Sequence, residues 1–194
     1  MIHALAALLG GLSWTLAEYL LHRLDGHGMR GRTRSSRLHL AHHTRPDTFA
    51  PARLKVQAAI GVTIPMTSLG LWLAGPAGVA FTAGFVSAYL LYEWLHRRLH
   101  THPPRTAWGR WARRHHFLHH FHRPHLNHGV TSPLWDHVFG THLGGAPVVV
   151  PRRHAPPWML TGDGQVRPEL AGLFELQGRA PQPGPRPRPG VAAG

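Results

Sequence analysis

The sequence predicts an all-α integral membrane protein with about three transmembrane helices and a histidine-rich helical cap on the cytoplasmic side. Three observations carry this prediction. The chain has three long apolar segments, its arginines are concentrated beside those segments, and ten of its histidines form four regularly spaced clusters. A length of 194 residues suits one domain.

The first apolar segment covers residues 2–21 and is long enough to cross a bilayer core of about 30 Å. A signal peptide is the alternative interpretation of this segment. It lacks the basic start and the clear small-residue cleavage site that a signal peptide would have. We therefore expect a helix that the protein keeps.

Two more apolar segments follow, at residues 56–75 and 77–92, the second continuing through Leu95. Pro65 predicts a kink that a membrane helix tolerates, and Pro76 suits the first position of the last helix. The link between them allows only a tight turn. Three buried helices of a soluble bundle are the alternative, but a run of twenty uncharged residues favours a membrane.

The net charge of +13 comes almost entirely from arginine. Seven arginines lie between Arg23 and Arg53 and seven more between Arg97 and Arg123, whereas the turn at 74–77 has no charge. The positive-inside rule places both arginine-rich flanks in the cytoplasm, and with them all four histidine clusters. The basic charge therefore predicts a membrane partner, an inner or plasma membrane, rather than a nucleic acid, for which no motif is present.

The four clusters have the spacings HX4H, HX2HH, HX3H and HX2HH. Their members are His22, His27, His39, His42, His43, His96, His100, His116, His119 and His120. On a helix HX2HH aims three imidazoles to one side, and the two adjacent ones are offset by about 100°, so one box can serve two metals. HX4H does not align on a regular helix, so we expect Asp25 and Gly26 to break the helix there.

Ten imidazoles exceed the four that a structural zinc ion needs. Shared between two metals they give about five each, which leaves an open position for dioxygen on a six-coordinate ion. Because the chain has no cysteine, imidazole and carboxylate are the remaining ligands. A surface polycation or a non-specific metal sponge is the alternative, and the regular spacing in four separate clusters disfavours it.

The other nine histidines receive different predictions. We expect surface or supporting positions for His3, His137, His142 and His154. Five lie near the clusters and are harder to dismiss as ligands: His102, His115, His122, His125 and His128.

The two halves of the chain resemble each other loosely. Each has an apolar segment that ends in a carboxylate and a histidine, then a basic linker, then an HX2HH box. Glu18 and Glu93 are therefore candidates to accept a hydrogen bond from a ligand imidazole, with pairing to nearby arginines as the alternative. Asp136, just past the last box, receives the same hypothesis.

These residues resemble the fatty acid hydroxylase superfamily, which includes fatty acid hydroxylases, sterol desaturases and carotenoid hydroxylases. The resemblance rests on the four boxes and on the segments 127–136 and 138–141, which contain Trp135 and Asp136. It implies a cytosolic dimetal centre. One metal would take His22, His39, His42, His116 and His119, and the other His27, His43, His96, His100 and His120.

The resemblance also implies hydroxylation of a lipid C–H bond, most simply on a fatty acyl chain. The expected cofactors are two iron ions, with zinc possible in the isolated protein, and the reaction uses dioxygen and external electrons. Members typically have four transmembrane helices, and some carry a fused haem domain. Neither the fourth helix nor that domain is evident here, so a separate electron-donor protein is expected.

Two other functions stay open at this point. A sterol or carotenoid hydroxylase or a desaturase would use the same centre, and a non-enzymatic membrane metal-binding protein would need no substrate cavity. The predicted domains are a membrane hydroxylase domain at 1–145, a peripheral cytosolic segment at 146–177 with a short strand or surface segment at 148–150, and a disordered tail at 178–194 rich in Pro, Gly and Arg.

Overall fold

The computed structural model describes residues 1–145 and 147–178, and most of them are helical. Helix α1 (Ile2–Leu20) continues as a π-helix (Leu21–Gly28), and α2 (Arg34–Thr44), α3 (Ala52–Ala74), α4 (Pro76–Thr101), α5 (Ala107–Phe121) and α6 (Leu134–Val138) follow. Two strands, β1 (Val148–Pro151) and β2 (Phe174–Gln177), and three short 3₁₀ turns complete the described part. The described residues are thus mostly helical, as predicted, and both strands lie within residues 147–178.

Helices α1 and α4 run side by side in the same direction and cross at glycines. A Cβ atom on Gly10 would lie 2.0 Å from the carbonyl oxygen of Phe81, and one on Gly84 would lie 1.9 Å from that of Ala7. Only glycine permits this approach of two backbones. Further along, the Trp14 ring packs edge-on against helix α4. Because the two helices are parallel, both deliver their last turns to the same end of the molecule.

Helices α3 and α4 form the predicted hairpin. Gly75 turns the chain with a φ of 57°, a conformation that favours glycine, and Pro76 begins α4. Helix α3 begins four residues earlier than expected, contains Pro65, and has no buried residue. A core helix of a soluble bundle would be buried, whereas the exposed surface of α3 is rich in leucine and isoleucine. The described residues contain two helices long and apolar enough to span a membrane, Ile2–Gly28 and Ala52–Ala74.

Residues 147–178 pack against the outer face of α5. Strand β1 pairs in parallel with β2, which confirms the predicted strand at 148–150. Between the strands and α5 lies an apolar core whose buried members are Phe117, Leu118, Val148, Val150, Trp158, Met159, Leu170 and Phe174. The predicted tail lies outside the described residues except for Gly178.

Candidate metal centre

The first histidine pair lies on a widened helical turn. The chain does not break at Asp25 and Gly26, as the spacing was expected to require, but continues as a π-helix from Leu21 to Gly28. A π-helix forms i→i+5 hydrogen bonds, so residues five apart come to the same side. The rings of His22 and His27 accordingly lie 5.4 Å apart between centroids. HX4H is thus accommodated by a change of helix type.

The remaining clusters lie on regular helices. The HX3H pair is on the last turns of α4, which continues past the apolar segment to Thr101. The two HX2HH boxes lie at the ends of α2 and α5. Both helices begin at a threonine whose hydroxyl accepts a backbone N–H, Thr33 from Ser36 at 3.1 Å and Thr106 from Gly109 at 3.0 Å. These caps fix the N-terminal ends of the two helices that carry the boxes.

All ten predicted histidines meet at one place and form two groups of five. In each group, one ring nitrogen from every residue lies within 4.8 Å of the others. The first histidine group is His22, His27, His39, His43 and His119, and the second histidine group is His42, His96, His100, His116 and His120. Facing Nε2 atoms are separated by 2.8 to 3.2 Å.

The two groups are built by one rule. Each takes two histidines from the end of a long helix, the outer two from the following box, and the middle one from the other half's box. His42 and His119 are those exchanged residues. This grouping differs from the division implied by the resemblance. The outer histidines of a box are four residues apart and differ by about 40° around the helix axis. The middle histidine comes three residues after the first and differs from it by about 60° in the opposite sense, so it can reach the other histidine group.

Three ligand candidates are anchored by backbone carbonyls. The Nδ1 atoms of His42 and His119 lie 2.7 Å from the carbonyl oxygens of Thr48 and Leu126, and that of His22 contacts the carbonyl of His128. A carbonyl only accepts, so each Nδ1 must carry the proton. In a neutral imidazole, Nε2 then presents its lone pair to the group. This arrangement is typical of metal-binding histidines.

Several of these ring nitrogens lack a hydrogen-bond partner. Nε2 of His22, Nδ1 of His116 and both nitrogens of His120 are buried and unpaired among the described residues. Leaving such atoms unpaired is costly, and a metal ion bound through Nε2 would relieve the cost at His22 and His120. Two nitrogens bound to one ion at about 2.1 Å lie about 3 Å apart when cis. The observed spacing, the lone-pair directions and the donor set therefore fit two metal ions.

Burial keeps the imidazoles neutral, as metal binding requires. Burial, reinforced by neighbouring imidazoles, lowers the pKa of His39 and His43 to about 2. It lowers the pKa of His42 to about 4, and the pKa values of His116, His119 and His120 fall well below their ordinary value for the same reason. At neutral pH these ligand candidates need not lose a proton before binding a metal.

Glu18 has a different role from the predicted one. It is 3% exposed, and its carboxylate accepts the backbone N–H groups of Val130 and Thr131 at 2.6 and 3.0 Å and the Thr131 hydroxyl. Neither a ligand imidazole nor an arginine is among these partners. Glu18 therefore holds the loop after α5 against helix α1.

Glu93 also departs from its prediction. Its carboxylate pairs with Lys55, the only lysine in the chain, rather than with a ligand imidazole or an arginine. The pair joins α3 to α4 below the histidine groups. A resemblance between the two halves in sequence therefore does not extend to the partners of their carboxylates.

Asp136 supports the centre indirectly. Its fully buried carboxylate accepts the backbone N–H groups of His128 and Gly129, both at 2.8 Å, and the Thr141 hydroxyl, and it contacts Nε2 of His115 at 3.3 Å. Burial alone would raise the pKa of Asp136, but these contacts outweigh burial and hold the pKa below its usual value. Asp136 holds the peptide bond that follows His128, and this peptide supplies the carbonyl that anchors His22.

The other nine histidines lie outside the two groups. His128 contributes its backbone carbonyl, His115 contacts Asp136, and the His122 ring accepts the backbone N–H of Val149 at 2.9 Å. The sequence could not reveal the carbonyl anchors, because any residue supplies the same carbonyl.

Cavities lie among the apolar helices and beside the histidines. One of about 240 Å³ and one of about 280 Å³ share His39, Tyr89, Tyr92 and Glu93 among their lining residues. A third, of about 160 Å³, is lined entirely by α1, α3, α4 and Leu21, which follows α1, and it shares Tyr89 with both. The shared residues make the three cavities neighbours, and the two larger ones border ligand candidates such as His39.

Comparison with known proteins places these features in a family. The family model "Fatty acid hydroxylase" matches residues 7–141. Dihydroceramide fatty acyl 2-hydroxylase FAH2 of Arabidopsis thaliana is 34% identical over 137 residues, which cover 68% of this chain and 58% of that protein. Fatty acid 2-hydroxylase of Rattus norvegicus is 34% identical over 145 residues, which cover 69% of this chain and 38% of that protein. The chain therefore spans little more than half of the Arabidopsis protein and well under half of the rat protein.

A solved structure has a similar fold. Full-length scs7p, in which only the hydroxylase domain is visible, aligns with a TM-score of 0.58 and 27% identity over 73% of this chain and 56% of that one. A protein of the same name, the ceramide very long chain fatty acid hydroxylase SCS7 of Saccharomyces cerevisiae, is 33% identical over 147 residues, which cover 70% of this chain and 37% of that protein. The extent of the family match and these similarities show that the chain belongs to the fatty acid hydroxylase family.

Proposed function

We propose that this protein is a membrane-bound dimetal oxygenase that hydroxylates a C–H bond of a fatty acyl chain. The observation that carries the proposal is the pair of five-histidine groups, with converging ring nitrogens, at the end of a series of cavities that starts among apolar helices. The relatives named above are fatty acyl and ceramide hydroxylases.

The proposed reaction consumes one dioxygen, two electrons and two protons, and yields the hydroxylated lipid and one water. Two iron ions held by the two histidine groups would supply the activation of dioxygen. The ten imidazoles hold the metals and bring no negative charge. The backbone carbonyls of Thr48, Leu126 and His128 fix three of the rings, so the ligands need not reorganise.

The residues of the helices would align the lipid. The 160 Å³ cavity is lined by groups such as Val62, Phe85 and Val86, which suit an acyl chain. Trp14 and Tyr89 line both this cavity and the one that reaches His22 and His39. A chain bound along this path would present a carbon to the first and second histidine groups while its tail stays among apolar side chains.

The membrane arrangement is part of the proposal. We infer that α4 is a third transmembrane helix beside the spans Ile2–Gly28 and Ala52–Ala74, because it packs against both along its apolar length. The arginine-rich flanks favour a cytoplasmic position for the histidine-bearing helices in an inner or plasma membrane. Residues 1–145 would form the hydroxylase domain, and 146–177 a peripheral segment.

Electrons would come from a separate protein, and the basic charge of the chain suits an acidic donor.

The test is expression of the full chain in a host membrane with lipid analysis by mass spectrometry under isotope-labelled dioxygen. We expect a hydroxylated acyl lipid that contains the label, and its loss in His42→Ala and His119→Ala. His102→Ala, which changes an exposed histidine outside both groups, is the control and should keep the product. Unlabelled product or full activity in either ligand variant would contradict the proposal. Metal binding without any lipid product would favour a non-enzymatic metal-binding protein.

A further inference from the structure

The end of helix α4 is held from two sides. A helix leaves its last four carbonyls without partners inside the helix. Here the carbonyl of His100 accepts the indole N–H of Trp158 at 2.8 Å. The carbonyl of Arg98, which already accepts the backbone N–H of His102, also accepts Nη2 of Arg113 at 2.9 Å. His100 belongs to the second histidine group, so one of these bonds is made to the backbone of a ligand candidate.

Trp158 is fixed by its own surroundings. It is 8% exposed, its ring lies 6.1 Å from that of Phe117 and 6.2 Å from that of Phe174, and the guanidinium of Arg113 lies over it at 5.5 Å. Indole has one N–H donor, and this one is used on His100. The side chain therefore transmits the position of the strand pair to the end of α4.

This contact comes from outside the matched family domain. The family model ends at residue 141, whereas Trp158 belongs to residues 147–178, which pack on α5 through their own apolar core. The helix α5 beneath that core carries His116 and His120. One small unit thus contacts both helices that supply four of the five members of the second histidine group.

We propose that residues 147–178 clamp the second histidine group and that Trp158 is a positioning residue acting through the carbonyl of His100. Nε2 of His100 lies 2.8 Å from that of His116 and 3.2 Å from that of His42. Metal sites tolerate deviations of about 0.2 Å in ligand distances, so a loosened last turn of α4 weakens binding at this group. The proposal rests on the proposed metal binding by the histidine groups.

The test is titration of the metal-free full chain with Co²⁺ in detergent, followed by visible absorption against a competing chelator. Trp158→Phe keeps an aromatic ring against Phe117 but removes the N–H. We expect the affinity for one Co²⁺ equivalent to fall about three- to tenfold, the effect of one lost hydrogen bond, with altered absorption bands for that equivalent and an unchanged second equivalent.

Phe174→Leu is the matched control, because it loosens the same apolar core without removing the bond to His100. We expect it to lower the thermal midpoint and to lower the affinity for the same Co²⁺ equivalent less than Trp158→Phe does, because the bond to His100 is kept. Wild-type affinities in Trp158→Phe would overturn the positioning role, and so would an equal loss at both equivalents in the two variants. If the wild-type chain fails to bind two Co²⁺ ions, it is the proposed metal centre that fails.

Discussion

The two halves of this protein build matching halves of one site by different means. In the first half, HX4H lies on a π-helix that continues α1; in the second, HX3H lies on the regular helix α4. The second histidine group is more fully buried, with four of five members buried against two of five in the first. The two halves thus share the positions of their imidazoles but not the helix geometry that delivers them.

The supports of the two halves differ as well. Glu18 ties the loop after α5 to α1, next to the first group, through backbone N–H groups. The second group is supported by Arg113 and Trp158 at the end of α4. Because His42 and His119 are exchanged, each histidine group contains a residue from the other half of the chain. A substitution that displaces one half should therefore disturb both groups.

The largest effect is expected from separating the halves. Gly84→Leu would drive a side chain into the carbonyl of Ala7, only 1.9 Å from the new Cβ, and we expect loss of folded protein. Gly61→Leu is the control, because nothing lies within 4 Å of a Cβ at that position on exposed α3. Size-exclusion profiles and thermal unfolding in detergent measure both. A stable Gly84→Leu protein with bound metal would show that the crossing does not set the register of the halves.

The difference in helix type can be tested by shortening the first pair. Deletion of Leu24 converts HX4H to HX3H and removes the residue that the π-helix accommodates. We expect loss of one of two metal equivalents, that of the first histidine group. Leu24→Ala keeps the chain length at an exposed position and should retain both. Two equivalents in the deletion variant would mean that either helix type serves this group.

Acid should release the metals and destabilise the protein. Burial lowers the pKa of ligand candidates such as His116 and His119. Below the ordinary histidine pKa of 6.5, the unfolded chain therefore binds more protons than the folded chain. Stability is therefore retained above pH 6.5 and falls below it, by up to about 1.4 kcal/mol per pH unit for each such histidine. Thermal unfolding and metal content at pH 7.5 and pH 5 measure this. Equal midpoints at both values would contradict neutral burial of the groups.

A smaller effect is expected at the carboxylate pair. Glu93→Gln removes the ion pair with Lys55 at the cavity wall, but it touches no ligand. We expect unchanged metal content and an activity lowered a few-fold, because the wall between α3 and α4 loosens where the lipid would pass. Lost metal would instead restore the role expected from sequence, a hydrogen bond to a ligand imidazole.

Much of the site was predictable because metal ligands impose spacing on a sequence. The ten histidines and the helices of the two boxes followed from that spacing. The hairpin at Gly75 followed instead from the short link between two apolar segments. The π-helix did not, since HX4H is equally compatible with a broken helix. The carbonyl anchors of Thr48 and Leu126 and the contact of Trp158 leave no local pattern, because they depend on segments brought together only by folding.

The number of metal ions in the purified full chain is the decisive measurement for the two histidine groups. Two histidine groups that exchange His42 and His119 predict two metal ions per chain in the wild type. His42→Ala should lose the metal of the second group and His119→Ala that of the first, so each variant should retain at most one. Two ions in both variants, or one ion in the wild type, would contradict a centre made of two five-histidine groups.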